Sequence, residues 1–167
     1  MNDDSVPPRD TVYVPERIEF PRLLDFYELQ SEEETRIHGF YDRLREGVLS
    51  TTRCENCDAI HFPPRVVCPK CMSDDLSYTA LPHDGTLFAF SVVRGSAPIG
   101  MAEDVPFVIG IVDLEGIDVR LSARIDGAAY EDLSIGDRVT LKIVDIDGPR
   151  DEDRVFYRFE PVGHESE

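Results

Sequence analysis

All of the thiol chemistry available to this chain is confined to one stretch. In RCENCDAIHFPPRVVCPKC, residues 53–71, the four cysteines of the 167-residue sequence fall as Cys54, Cys57, Cys68 and Cys71, a C-x2-C-x10-C-x2-C pattern. Each C-x2-C pair can form a tight knuckle whose two thiolates face one ion. Two knuckles closing on each other make a tetrahedral site with no position left for substrate. A cytosolic chain with no cysteine elsewhere points to a metal rather than to disulfides. Structural zinc is the expected ion.

Iron in a rubredoxin-like site is the rival, and CPKC at 68–71 is similar to the second knuckle of such a site. Against iron, the glycine that often follows each knuckle is Asp58 in one and Met72 in the other. Asp can occupy the left-handed backbone region a knuckle requires, so the ribbon tolerates the change. With four thiolates at hand, His61 is expected to be a surface residue of the ribbon loop rather than a ligand. Outside this window no Ser-His-Asp or paired-carboxylate constellation stands in a recognisable context, and a run such as GPRDEDR reads as a solvated turn. No catalytic residue is expected.

Composition narrows the partners. Acidic residues number 34 against 17 basic ones, for a formal net charge of -17, and Lys70 and Lys142 are the only lysines. A bulk field of that sign repels polyanions. Scarce lysine with abundant Asp and Glu suits a halophilic protein, hydrated in concentrated salt where screening relieves self-repulsion. Substitution of Arg for Lys in a GC-rich genome leaves the acid excess unexplained. No apolar run approaches the roughly 18 residues a membrane span requires, and MNDDSVPPRD is polar and proline-bearing, unlike a signal peptide. The expectation is a cytoplasmic protein with no membrane partner.

The elements that must position the cysteines change character near residue 82. Residues 1–20, with prolines at 7, 8 and 15, read as extended or disordered. PRLLDFYELQ and SEEETRIHGFYDRLREGVL, within 21–49, read as helices, the second opening with a capping box of Ser31 and Glu34 and stopping near Gly47. Ile37, Phe40, Tyr41 and Leu44, followed by Val48, line one helical face. That face is either core or a docking face for a partner; a helix beside a small ribbon has little of its own to pack against, which favours docking. Residues 50–82 form the ribbon. Beyond them the apolar period becomes 2, and strands are expected at 86–94, 106–114, 117–125, 137–146 and 153–161. Glu115 and Gly116 turn the chain between the second and third, and DGAAYEDLSIGD supplies a short helical turn between the third and fourth. The expected fold is mostly β: N-terminal helices, a rubredoxin-like zinc ribbon and a C-terminal five-stranded OB-fold barrel over 83–161, with a tail at 162–167.

The order helix, RCENC…FPPRVVCPKC, DGTLFAFSVV, VPFVIGIVDL and LSIGDRVTL resembles the DUF35 family over about residues 22–161. Tyr78 stands where an aromatic, commonly Trp, follows the ribbon in that family. The resemblance implies a non-catalytic accessory subunit of a thiolase-like acyl-CoA enzyme, such as an acetyl-CoA acetyltransferase, an HMG-CoA synthase or a related aldolase. It also implies that the OB domain helps cradle coenzyme A or an acyl-CoA shared with the partner. Phosphates need cations and adenine needs an apolar surface. The candidates are Arg65, Lys70 and Arg94, with Phe62 and the prolines after it as the apolar prominence, although FPP also reads as packing between ribbon and barrel. The competing classes are a nucleic-acid-binding zinc-ribbon and OB module, disfavoured by charge, and a free-standing electron carrier, which requires iron.

Overall fold

The computed structural model describes residues 30–98, 101, 104–146 and 154–163. The extended stretch expected at 1–20, the first expected helix up to residue 29 and the tail beyond residue 163 lie outside the described residues. In chain order the elements are α1 (His38–Arg45), β1 (Ser50–Cys54), β2 (Ile60–His61), β3 (Leu76–Ala80), β4 (Asp84–Val93), β5 (Phe107–Leu114), β6 (Arg120–Ile125), β7 (Arg138–Ile146) and β8 (Arg154–Pro161). The first three strands form a small antiparallel sheet in the order β2-β1-β3. The last five close into a barrel in the order β4-β5-β6-β8-β7, with β7 returning to β4. That is the strand order of an OB-fold, and mostly β architecture with a ribbon and a five-stranded barrel is what the alternation implied. Among the described residues no helix is long and apolar enough to cross a membrane.

Strict alternation builds the barrel. Val108, Val112 and Leu114 of β5, Leu121, Ala123 and Ile125 of β6, and Val155 and Phe159 of β8 turn inward and are buried. Gly110 sits among them because a Cβ there would stand 2.7 Å from a methyl of Leu87 and 2.8 Å from Ile125. The alternation shifts once, in β4, where a bulge lies between Leu87 and Ala89. Leu87 points in, Phe88 is left exposed, and Phe90 and Val92 pack on the core, a change of parity that one inserted residue produces.

Three expectations about local structure need correction. The helix expected over 31–49 is confined to His38–Arg45. Ser31 Oγ donates to the Glu34 carboxylate at 3.1 Å, and the N–H groups of Glu34 and Thr35 both donate to the Ser31 carbonyl, so the presumed capping box closes an isolated turn. Ile37 takes the N-cap position without a side-chain cap. At the other end Gly47, with φ +86°, donates to Leu44 O while Val48 donates to Arg43 O, a Schellman closure that stops the helix at the expected glycine. The third barrel strand begins at Arg120 rather than at residue 117, because the turn at Gly116 (φ +73°) takes up Ile117 and Asp118 before Leu114 and Val119 pair. Residues 126–137 form turns and no helix: one turn is closed by Asp132 N–H on Ala129 O at 3.1 Å, between Gly127 and Gly136, both at positive φ. Leu133 from this stretch is nonetheless buried in the core.

A candidate metal centre in the ribbon

Two backbone loops of the same design present the cysteines. Cys54 ends β1, and its carbonyl accepts from Asp58 N–H at 2.9 Å while its own N–H donates to Ala59 O at 2.9 Å. The second knuckle repeats the arrangement: Met72 N–H donates to Cys68 O at 2.8 Å and Cys68 N–H to Ser73 O at 2.8 Å. Asp58 (φ 57°) and Met72 (φ 63°) both occupy the left-handed region. The conformation for which glycine is usual is therefore adopted without it, at both knuckles. Arg53 pairs with the Asp58 carboxylate at 2.9 Å across the first turn.

The four sulfurs lie within 4.8 Å of one another, with Cys54 and Cys71 3.6 Å apart and Cys57 and Cys68 likewise 3.6 Å apart. A tetrahedral ion with sulfur bonds of about 2.3 Å would set its ligands roughly 3.8 Å from each other, so the cluster fits a zinc-sized ion. Cys54 and Cys68 are fully buried and Cys57 and Cys71 half-buried. Thiols this crowded do not ionise alike. An Asn56 side-chain hydrogen bond and the Ser73 backbone draw Cys71 down to about 6. At Cys57 the Ala59 backbone acts downward, but desolvation and the neighbouring sulfurs outweigh it and push the thiol up to about 12. A cation that binds all four thiolates removes that conflict.

His61 differs from its expected place on the ribbon surface. It is half-buried, and its Nε2 lies 3.4 Å from Cys68 Sγ. The sheet register explains this: His61 pairs with Thr52, and Thr52 shares a strand face with buried Cys54 two residues on. Pairing of the two-residue β2 was the signal that alternation within the sequence did not carry.

The helix face is core. Phe40 and Tyr41 are each 3% exposed and Leu44 0%, so the expected docking face of Ile37, Phe40, Tyr41 and Leu44 is occupied by the chain itself. The Phe40 ring meets Phe62 at 6.3 Å and Tyr157 of β8 at 6.2 Å, edge to face, and Phe62 meets Tyr157 at 5.7 Å. Helix, ribbon loop and barrel thus join in one aromatic cluster. The helix found its packing partner in β8, which a view of the ribbon alone leaves out. Burial pushes the Tyr157 phenol well above its usual range, and its hydroxyl donates to Ser122 O at 3.2 Å.

Phe62 is accordingly no free prominence. It lines a cleft of about 280 Å³ with Ile37, Phe40, Pro63, Pro64 and Phe156. Arg65 follows this cleft in sequence; its N–H donates to Thr52 Oγ1 at 2.8 Å and the residue is exposed, as is Lys70 on the second knuckle. Arg94 is engaged on the barrel, its guanidinium 4.4 Å from the centre of the Tyr130 ring and its Nη1 donating to the Tyr130 hydroxyl at 3.2 Å. A second cavity, of about 350 Å³ and largely apolar, lies among Val93, Met101, Phe107, Ile109 and Phe156, with Arg124 and Arg158 at its polar margin. Both arginines bind Asp126, Arg124 through Nε at 2.8 Å and Arg158 at 2.7 Å. Desolvation acts to raise the Asp126 carboxyl, but the two guanidinium groups outweigh it and hold the group below its ordinary value.

Residues 42–77 match the family model described as the ChsH2 rubredoxin-like zinc ribbon domain, and residues 78–144 that described as the ChsH2 C-terminal OB-fold domain. A DUF35 domain-containing scaffold protein of Methanocaldococcus jannaschii is 32% identical over 113 residues, covering 66% of this chain and 79% of that protein. A probable enoyl-CoA hydratase alpha subunit of Thermomonospora curvata is 28% identical over 109 residues, 65% of this chain but 33% of that longer protein. Among solved structures, a chain of the Ltp2-ChsH2(DUF35) aldolase superposes with a TM-score of 0.62 at 25% identity, covering 74% of this chain and 91% of that one. Ribbon, barrel and relatives agree: the chain belongs to the DUF35 family.

Proposed function

We propose that this chain is a non-catalytic scaffold subunit of an enzyme complex acting on acyl-CoA thioesters, thiolase-like in its chemistry, with a structural zinc ion held by Cys54, Cys57, Cys68 and Cys71. The observation that carries the reading is its likeness to a chain of the Ltp2-ChsH2(DUF35) aldolase together with its likeness to a DUF35 scaffold protein. Chemistry of the chain agrees with it. A closed four-sulfur site has no open position for substrate, and its thiols are the chain's only ones.

Docking falls to surfaces other than the helix. Met72 (75% exposed), Ile135 (71%) and Phe88 (46%) are large apolar side chains left in solvent, and an enzyme partner that covers them gains their burial. Coenzyme A is drawn to the ribbon side of the molecule, where the cleft beside Phe62 offers an apolar wall and Arg65 and Lys70 offer charge for phosphate; Arg94 is the outlying candidate, already stacked on Tyr130.

The nucleic-acid reading is the weaker one for a specific reason. On the barrel, Arg120, Arg124, Arg138, Lys142 and Arg158 each face a carboxylate, so the cations that a single strand would need are neutralised. The halophilic reading rests on the net charge of -17. Its expected outcome is a melting temperature that climbs from low to molar salt, and a flat or falling profile returns the composition to codon bias.

The test of function is co-purification of the tagged chain from its source, with mass spectrometry of what accompanies it. A thiolase-like or aldolase-like enzyme should be recovered, and its acyl-CoA activity should depend on this subunit, while the isolated chain shows none. A chain that runs alone beside every such candidate, or that binds single-stranded nucleic acid at moderate salt, overturns the reading.

A further inference from the structure

The cluster of four cysteines has a fifth neighbour with a hydrogen to give. His61 Nε2 stands 3.4 Å from Cys68 Sγ, yet His61 is not among the donors that all lie within 4.8 Å of one another. It touches one sulfur and stays outside the set that surrounds the ion. We propose that His61 donates an Nε2–H hydrogen bond to the metal-bound Cys68 thiolate and governs how firmly the ribbon keeps its ion. This rests on the zinc reading of the four cysteines.

The direction of the bond follows from proton bookkeeping. A cysteine bound to zinc is a thiolate and has no hydrogen, so it can only accept. A neutral imidazole presents one N–H and one lone pair, and the nitrogen that faces a thiolate must carry the hydrogen. Nε2 therefore carries the hydrogen. The backbone that carries the ring is fixed by its strand. His61 lies in β2 opposite Thr52, its carbonyl accepts the Thr51 hydroxyl, and it is half-buried on the face that carries Cys54.

Four thiolates on one zinc ion carry a net charge of about -2. An N–H aimed at sulfur withdraws charge from it. The donated bond strengthens retention of the ion and lowers the nucleophilicity by which a thiolate is oxidised. Of the two knuckles, only the second carries a contact of this kind to a side-chain ring among the described residues.

The experiment is zinc release from the full chain, followed with a chromophoric chelator, with and without hydrogen peroxide. Removal of one outer-shell partner of this type typically costs 10- to 100-fold in metal affinity, so His61→Ala should release zinc about 10-fold faster under both conditions. His61→Gln, whose amide can also donate, should recover part of the difference. The cobalt-substituted proteins should give the charge-transfer intensity of four thiolates in the unaltered chain and in His61→Ala alike. Equal release rates overturn the proposal. So does a cobalt spectrum showing three thiolates and a nitrogen, which would make His61 a ligand. If His61→Ala does not fold, nitrogen-15 spectra of the unaltered zinc-loaded chain decide: Nε2–H supports the bond, and protonation at Nδ1 alone overturns it. An unaltered chain whose ribbon folds without zinc ends both this proposal and the reading beneath it, whereas equal release from a zinc-loaded chain ends this proposal only.

Discussion

From Ser50 to Ala80 the buried side chains apart from Pro64 are Ser50, Thr51, Thr52, Cys54 and Cys68, four of them hydroxyl or thiol groups on one short strand. Between Asp84 and Pro161 the least exposed are Leu87, Val112, Val139 and Phe159, each fully buried, with eight more buried aliphatic residues in the same cluster among the described residues. The barrel excludes water from its own hydrocarbon. The ribbon has almost none to bury, apart from Leu49 and Leu81, joined by a backbone hydrogen bond of 2.8 Å at its base. A region so poor in apolar contacts needs another source of free energy, and a metal ion closed in by the four thiolates would supply it. Sharing a chain, the two regions are stabilised by different physics.

The sharpest way to break this comparison is to take away the metal. Structural zinc sites of this type contribute on the order of 10 kcal/mol or more to folding, so exhaustive chelation, or Cys68→Ser, should melt the ribbon and leave the barrel in place. Hydrogen exchange should then show amides of β1 and β3 unprotected while those of β5 and β6 stay protected. Simultaneous loss of both would mean that the aromatic cluster around Phe40 makes one cooperative unit of them.

That cluster is the next point of attack. Phe40 is 3% exposed between ribbon and barrel, and Phe40→Asp both empties its site and buries a charge. The expected cost is about 3–5 kcal/mol, read as a lower denaturation midpoint. An unchanged midpoint would restore the helix face to the role of a docking surface.

The smallest effect belongs to the knuckle backbone. Met72 holds φ 63° with its side chain 75% exposed, so Met72→Gly removes strain and little packing. A gain of about 1 kcal/mol or less in the ribbon transition is expected, measured as a shift in its thermal midpoint. A loss would show that the exposed methionine is held by contacts rather than tolerated.

What could be read from the residues alone was whatever depends on near neighbours. The C-x2-C spacing fixes two thiols on one turn, and alternation marks the inward residues of β5, β6 and β8, because both are properties of a few consecutive residues. Gly47 could be recognised as a helix stop for the same reason. The capping box at Ser31 was a false signal of equally short range: its side chains meet, but no helix follows for them to cap. Nothing in the sequence marks the bulge at Phe88, because an inserted residue shows only against a partner strand that counts the register.

The sequence by itself determined which four cysteines gather into one cluster, the change from ribbon to barrel near residue 82 and the inward faces of most strands. The tertiary structure alone decided which surface the amphipathic helix meets, that His61 turns toward Cys68, and that β6 and β8 run parallel to close the barrel. The reason is the range of the forces concerned. An apolar face declares that it must leave water, since the hydrophobic effect is non-directional, but it does not name its partner. That choice is made by segments distant in sequence, such as Phe40 and Tyr157, once the strand order has brought them together.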